Sequence, residues 1–144
     1  MRNDKPNVIV EKTIDFSIMT IKYCELLDQN RKFVVSRQLL RSSTSIGANV
    51  FEAQNAESKA DFIHKMKIAA KEASETLYWL VLCERSEGYS FDMNLKEKLV
   101  EINKILSRII ATTKGITPFL TGVLLYLFSN FQIFKLAHYL WSTI

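Results

Sequence analysis

The sequence predicts an all-α protein, an antiparallel up-down-up-down four-helix bundle with an apolar C-terminal extension. Its 144 residues suffice for one domain with a substantial core. Only four glycines and two prolines interrupt the chain, which is typical of helical proteins. Four segments repeat apolar residues at helical spacing. The links between them are only a few residues long, and short links make neighbouring helices antiparallel.

The first two helices are predicted from their apolar spacing. The first spans about Val8 to Asp28, and the polar pair Gln29 and Asn30 ends it. Its predicted core stripe is Val10, Ile14, Ile18, Ile21 and Leu27. The second spans about Phe33 to Ala56, with the stripe Val35, Leu39, Ser42, Ile46, Val50 and Ala53.

The last two helices also carry start signals. Ser58 followed by Asp61 predicts a capped start, because both side chains can satisfy or favour the free N–H groups of a first turn. The predicted stripe of this third helix is Phe62, Met66, Ala69, Ala73, Leu77, Leu80 and Cys83, and Gly88 is its predicted stop. Asp92 is the predicted cap of the fourth helix, which ends at Gly115 and Pro118. Its heptad stripe is Leu95, Leu99, Ile102, Leu106, Ile109 and Thr113.

A change in composition divides the chain into a bundle domain, residues 1–117, and a tail, residues 118–144. Lys135 is the only charged residue of the tail. Its uncharged stretch approaches the length of about 20 residues that spans a bilayer, but Ser129, Asn130 and Gln132 disfavour a membrane. The alternatives are a fifth helix on the bundle or a partner subunit, and an extension outside the fold. Because the four stripes already form a closed set, we expect the tail to be dispensable for folding. Otherwise it covers a groove with Leu124, Leu127, Phe128, Phe131 and Phe134.

Small residues on the second helix predict close packing. A glycine inside a helix costs about 1 kcal/mol relative to alanine, so the near approach of another element must offset Gly47. We expect tight helix–helix contact at Ser42, Ser45, Gly47 and Ala48. A ligand pocket is the alternative, but the sequence supplies no cofactor chemistry for it, and we expect no cofactor.

Polar residues on the second and third helices predict a structural network rather than a catalytic centre. Arginine pairs well with partly buried carboxylates, and such pairs fix helix register more often than they do chemistry. The predicted network is Arg41, Asn49, Glu52, Glu72 and Glu75. Glu72 and Glu75 lack the Glu-x-x-His pattern of di-metal bundles. No nucleophile motif or phosphate loop occurs either, so we expect no enzyme and no metal.

The charge balance permits an anionic partner without requiring one. The net charge is +4 and the sequence pI is about 9.1. The candidate phosphate-binding residues are Arg37, Arg41, Lys59, Lys65, Lys67 and Lys71. Acidic residues are interleaved with them, so a solvated, salt-bridged surface is the alternative.

Cys24 and Cys83 lie in helical patterns and outside any Cys/His cluster, which favours buried thiols over a disulfide. The polar N-terminus lacks a secretory signal. We therefore expect a cytoplasmic protein.

Two segments carry a family resemblance. The first is Arg37-Gln38-Leu39-Leu40-Arg41-Ser42, Ser45-Ile46-Gly47-Ala48-Asn49 and Glu52-Ala53. The second is Ser58, Asp61-Phe62, Lys65, Ala69, Lys71-Glu72-Ala73, Glu75-Thr76 and Tyr78-Trp79-Leu80. In order and spacing the chain, over about Val8 to Ile116, resembles the bacterial four-helix bundle proteins, also known as 23S rRNA intervening-sequence-encoded proteins. The tail is not part of this family pattern.

The resemblance implies function only in outline. It implies an antiparallel four-helix bundle without enzymatic activity. It also implies self-assembly into a ring-like homopentamer, as in the related accessory variability proteins of diversity-generating retroelements. Those relatives are basic and work with RNA and a reverse transcriptase. We therefore expect a non-enzymatic oligomeric bundle that binds RNA or DNA or a nucleoprotein partner, with a reverse transcriptase as partner if the gene lies in a retroelement. The alternative is a scaffold that binds only itself and a protein partner.

Overall fold

A computed structural model describes residues 7–114, and these residues form four α-helices. The helices are α1 (Val8–Gln29), α2 (Phe33–Ala53), α3 (Lys59–Arg85) and α4 (Met93–Thr113). The described residues contain no strand. Among them no helix is long and apolar enough to cross a bilayer. Every prediction about residues 118–144 lies outside the described residues.

The helices form a closed four-membered ring of neighbours. Each helix packs on the next one along the chain, and α4 returns to pack on α1, while the pairs α1–α3 and α2–α4 lie across diagonals. The links 30–32 and 86–92 meet at one end, where the Lys32 ammonium lies 4.4 Å from the centre of the Tyr89 ring. The predicted up-down-up-down bundle is therefore confirmed.

The predicted helix starts are also confirmed. The Ser58 side chain accepts a hydrogen bond from the Asp61 backbone N–H at 3.1 Å. The Asp92 carboxylate accepts one from the Leu95 N–H at 3.2 Å. Each bond satisfies one of the four N–H groups that the first turn of a helix leaves free. Gly88 adopts a φ of +74° just beyond α3 and turns the chain towards α4, in a region that glycine enters without strain.

The core stripes predicted for α2, α3 and α4 match the buried residues. The heptad of α4 is buried at Leu95, Leu99, Ile102 and Leu106. Both α2 and α3 bury their predicted residues except for Val35, Phe62 and Leu77, which are partly buried against the core. The core also contains hydroxyl groups, and α2 alone buries Ser36, Ser42 and Ser43.

The stripe predicted for α1 is wrong. Ile14, Ile18 and Ile21 are 42–48% exposed, and of the predicted residues only Leu27 is fully buried while Val10 is partly buried. The helix instead buries Ile9, Thr13, Phe16, Thr20, Tyr23, Cys24 and Leu27. Thr13 and Thr20 can lie in the core because each hydroxyl donates to the carbonyl four residues earlier, both at 2.9 Å. Satisfied hydroxyls are tolerated in a core, which leaves the isoleucines outside.

Both cysteines are buried free thiols, as the sequence predicted. Cys24 lies on α1 and Cys83 on α3, and no Cα atoms of these diagonal helices approach within 8 Å. A disulfide needs Cα atoms no more than about 7 Å apart, so the two thiols cannot pair without moving the backbone.

The packing at Gly47 predicts opposite effects for two substitutions. A Cβ atom added there would lie 3.4 Å from the Ser17 hydroxyl and 3.5 Å from the Thr13 carbonyl, which is ordinary contact. We expect Gly47→Ala to raise the free energy of unfolding by about 0.5–1 kcal/mol, because alanine favours the helix. Gly47→Leu should lower it by about 1–3 kcal/mol by overpacking α1. Urea denaturation measures both, and a leucine variant as stable as the parent would contradict the close packing.

Burial of the thiols predicts a loss of stability in alkali. Burial raises the pKa of Cys24 from 9.0 to about 11, and it also raises the pKa values of Cys83 and Tyr23. The folded state then holds protons that the unfolded state releases, so the free energy of unfolding falls as pH rises from about 9 to about 11. Thermal melts across this range should show the decline, with a shallower slope for Cys24→Ala. If melting temperature fell equally steeply with pH in the variant and the parent, Cys24 would not be a cause of the decline.

A candidate nucleic-acid interface

The outer side of α3 carries an exposed row of polar and cationic residues. His64, Lys67, Lys71, Ser74 and Tyr78 recur at three- and four-residue steps, and all five are exposed. The opposite side of α3 lies in the core, at Met66, Ala69, Ala73, Thr76, Leu80 and Cys83. We call Lys67 and Lys71 the α3 cationic row. They stand one turn apart, and neither forms a salt bridge within residues 7–114.

Two further candidates are free but stand apart from this row. Arg37 is exposed near the start of α2, and Lys59 is exposed in the first turn of α3. Neither forms a salt bridge within the described part of the chain. Lys59 and Lys71 are separated by about 18 Å along the helix at 1.5 Å per residue. The candidates therefore form a dispersed cationic surface rather than one pocket.

The remaining two candidates are engaged in ion pairs. The Arg41 guanidinium donates to the Glu75 carboxylate and lies 4.0 Å from the nearest Glu72 oxygen. The Lys65 ammonium donates to Glu52 at 3.0 Å. This hydrogen bond raises the pKa of Lys65 above its usual value. Arg41 and Lys65 therefore join α2 to α3 and are less available to a phosphate than Lys67 and Lys71.

The predicted polar network divides into separate contacts. Arg41 links Glu75 with Glu72, but its own side chain is 56% exposed, so the group is a half-buried surface cluster. Within this cluster Glu72 Oε2 is buried without a hydrogen bond. Glu52 pairs with Lys65 instead. Asn49 donates to the Ser45 carbonyl of its own helix at 2.8 Å and does not reach the other members.

The predicted small residues of α2 point to different neighbours. The buried Ser42 hydroxyl accepts a hydrogen bond from Thr76 on α3 at 3.0 Å. Gly47 faces Thr13 and Ser17 on α1. Ser45 is half-buried and donates to the Arg41 carbonyl at 2.7 Å. Ala48 is exposed. Ser42 and Gly47 thus bring α2 close to two helices at once, and Ala48 lies on the outside of the bundle.

Helix α4 carries cations that the sequence analysis did not single out. Lys98, Lys104 and Arg108 on α4, and Lys114 directly after it, are exposed and without salt bridges among the described residues. The helix holds four basic and two acidic residues, whereas α1 holds four acidic and two basic ones. The absence of any acidic residue after Glu101 was a usable signal. Net positive charge is therefore largest on α4, whereas its neighbour α1 is net negative and α3, with five basic and four acidic residues, is close to neutral.

An aromatic pair adjoins the α3 cationic row. The Tyr78 and Trp79 rings meet edge to face, with centroids 5.2 Å apart. The Trp79 indole N–H donates to Glu75 at 3.4 Å, which holds the ring half-buried against the core. Tyr78 is 58% exposed. An exposed aromatic ring beside cations suits stacking on a base as well as packing on a protein.

The chemistry available on this surface is ionic. Ammonium and guanidinium groups bind phosphate oxygens at any nucleotide, so exposed cations of this kind supply affinity without reading sequence. Within residues 7–114 no three His, Cys, Asp or Glu side chains are grouped so as to hold a metal ion.

Comparison with known proteins identifies a family and finds similar solved structures. The family of 23S rRNA-intervening sequence proteins matches the chain over residues 5–108. A crystal structure of a protein of unknown function from the S23 ribosomal protein family of Bacteroides thetaiotaomicron is 44% identical, with a TM-score of 0.68. The match covers 71% of this chain and 97% of that one. No curated protein matches.

Proposed function

The chain belongs to the family of 23S rRNA-intervening sequence proteins, and from that premise we propose that it is a non-enzymatic, self-assembling bundle that binds nucleic acid. The ligand is RNA or DNA, free or within a nucleoprotein, and the compartment is the cytoplasm. The observation that carries this proposal is the exposed, unpaired state of Lys67 and Lys71 on the outer side of α3 within the described residues.

Charge polarity supports the same proposal. Lys104 and Arg108 extend the cationic surface onto α4, next to α3. Helix α1, which holds four acidic and two basic residues, is the other neighbour of α4 and would repel a polyanion. Such a distribution orients a protein as it approaches a phosphate backbone and increases its rate of association. The expected binding is independent of sequence, and a reverse transcriptase is a proposed partner if the gene lies in a retroelement.

A second surface supports self-assembly. Ile14 and Ile21 on α1 and Ala48 and Phe51 on α2 are exposed, and we call them the apolar face. Gly47 opposite Thr13 places the two helices close together here. Exposed apolar residues grouped on neighbouring helices can mark protein contacts. We propose that the apolar face joins copies of the chain, as a homopentamer by analogy with the family resemblance.

The alternative function is a scaffold that binds only itself and a protein partner. The exposed apolar residues favour it as much as they favour assembly, because either use would bury them. It differs from the main proposal in having no role for Lys67 and Lys71. Binding of RNA at low salt therefore separates the two functions.

The nucleic-acid proposal predicts that binding depends on charge. We expect Lys67→Glu with Lys71→Glu to weaken binding of fluorescein-labelled RNA of several sequences alike, as measured by anisotropy. Each lysine that binds a phosphate contributes about 0.7 to the slope of log K against log salt on a single strand, so the double variant should flatten that slope. Lys22→Glu on α1, which lowers the net charge by two units against four for the double variant, is the control for a charge change away from the α3 cationic row and should leave the slope unchanged. RNA affinity undetectable at low salt, or equal weakening in both variants, would refute this assignment.

The assembly proposal predicts dissociation by a single charge. Ile14→Asp should convert the oligomer into a monomer in sedimentation velocity, because an unpaired carboxylate would be buried in the interface. Val100→Asp, at another exposed aliphatic residue, on α4, is the matched control and should leave assembly intact. A parent protein that is monomeric at every concentration would contradict the proposal, and so would an unchanged Ile14→Asp oligomer.

A further inference from the structure

The outer side of α3 combines cations with exposed rings. His64 stands one turn before the α3 cationic row and Tyr78 stands two turns after it, and all four residues are exposed. The steps of three, four and seven residues between them return to the same side of a helix. At 1.5 Å per residue, the line from His64 to Tyr78 extends about 21 Å along α3. The helix thus places two ammonium groups between two aromatic side chains.

Ser74 keeps the surface between Lys71 and Tyr78 open. Its hydroxyl donates to the Ala70 carbonyl at 3.1 Å, so this small side chain stays close to its own helix. Lys71 and Tyr78 are about 10 Å apart along the helix axis. That distance corresponds to about three stacked nucleotides at 3.4 Å each. A strand whose phosphate lies at Lys71 can therefore bring a nearby base to the Tyr78 ring.

Neighbouring side chains hold the Tyr78 ring at the surface. The Arg41 guanidinium donates to the Glu75 carboxylate, whose Oε1 atom also accepts from the Trp79 indole N–H at 3.4 Å. The indole meets the Tyr78 ring at 70°, with ring centroids 5.2 Å apart. A ring that is already held loses less conformational freedom when a ligand stacks on it. Arg41 thus acts on this surface by supporting the aromatic pair.

We infer that the outer side of α3 binds a single strand of nucleic acid, with phosphates at Lys67 and Lys71 and an unpaired base stacked on Tyr78. This inference rests on the proposed function and adds the form of the nucleic acid. A base within a duplex has both faces covered by its neighbours, whereas an unpaired base can pack on an aromatic ring. Every base offers such a face, so stacking agrees with binding that is independent of sequence.

The α2 side of this surface also favours one strand over two. Glu72 and Glu75 border the line of cations there, and carboxylates repel a phosphate backbone. The cations on the same side, Arg41 and Lys65, are engaged in ion pairs. The free lysines of α3 therefore follow a single line, which suits one backbone. A B-form duplex instead presents two backbones separated by grooves about 6 and 12 Å wide.

Binding of matched strands tests the inference in the full-length protein. The probes are fluorescein-labelled oligothymidylate, a strand of equal length that lacks all bases, and the duplex of oligothymidylate with oligodeoxyadenylate. We expect Tyr78→Leu to weaken binding of oligothymidylate about 5- to 30-fold, the lower part of the range for one base stacked on an aromatic ring. Binding of the abasic strand and of the duplex should stay unchanged. Tyr78→Phe keeps a ring and should retain the affinity of the parent.

Two further variants separate stacking from phosphate contacts. Lys67→Glu with Lys71→Glu should weaken binding of all three probes and flatten its dependence on salt. Tyr78→Leu should leave that dependence as in the parent, because it removes no charge. Phe33→Leu, which removes another exposed ring, at the start of α2, is the matched control and should leave every affinity unchanged.

Three outcomes would overturn the inference for different reasons. Absence of binding to any probe at low salt would refute the proposed function and the inference with it. Equal affinity for all three probes, unaffected by Tyr78→Leu, would leave a surface that binds phosphates without stacking a base. Loss of the oligomer in Tyr78→Leu, with the affinity for oligothymidylate unchanged, would assign the ring to a protein contact.

Photochemical cross-linking keeps the test decisive if Tyr78→Leu does not fold. A 5-iodouracil base placed in the strand forms a covalent bond, on irradiation, with an aromatic side chain that it contacts. In the parent protein, mass spectrometry of the cross-linked peptides should find the base on Tyr78. A strand that binds without ever cross-linking to Tyr78 would overturn the assignment.

Discussion

The structure depends on the way α2 buries hydroxyl groups between two helices. Ser36 donates to the Cys24 carbonyl of α1 at 3.3 Å, and Ser42 accepts from Thr76 of α3 at 3.0 Å. Ser43 donates to the Leu40 carbonyl of its own helix at 3.1 Å. A buried hydroxyl without a partner would cost about 1–3 kcal/mol. Ser42 and Ser43 also bond to carbonyls of their own helix, so the contact that constrains the rotation of α1 on α2 is the reciprocal one between Ser36 and Cys24.

The rotation of α1 about its own axis follows from its contacts with α2. Because Thr13, Ser17 and Cys24 face α2, the isoleucines one or a few residues away are turned towards the outside. The same rotation leaves α1 loosely packed on α4, with a groove of about 360 Å³ between them that is lined by Phe16, Met19 and Ile102. The exposed apolar residues of α1 are thus a consequence of the hydroxyl contacts on its other side.

The part of the fold that the sequence predicts is the part governed by local signals. Ser58 and Asp92 mark helix starts through hydrogen bonds within three residues, and the α4 heptad follows from apolar spacing alone. The α1 stripe was wrong because hydropathy ranks isoleucine above threonine and does not register that Thr13 and Thr20 bond to their own helix. For the site, exposure and ion pairing decide which cations are free. Recognising that Arg41 is ion-paired whereas Lys67 is not therefore required distances between helices. The cationic end of α4, in contrast, could have been found by counting charges along the sequence.

The first described helix begins and the last one ends at the same end of the bundle, while the links 30–32 and 86–92 close the opposite end. This arrangement makes the described bundle suited to circular permutation, since chain ends that lie together can be joined by a short linker. New termini would be best placed away from the link 86–92, where the Tyr23 hydroxyl donates to the Ser90 carbonyl and Lys32 covers Tyr89. The link between α2 and α3, residues 54–58, is mostly exposed and is the natural place to open the ring.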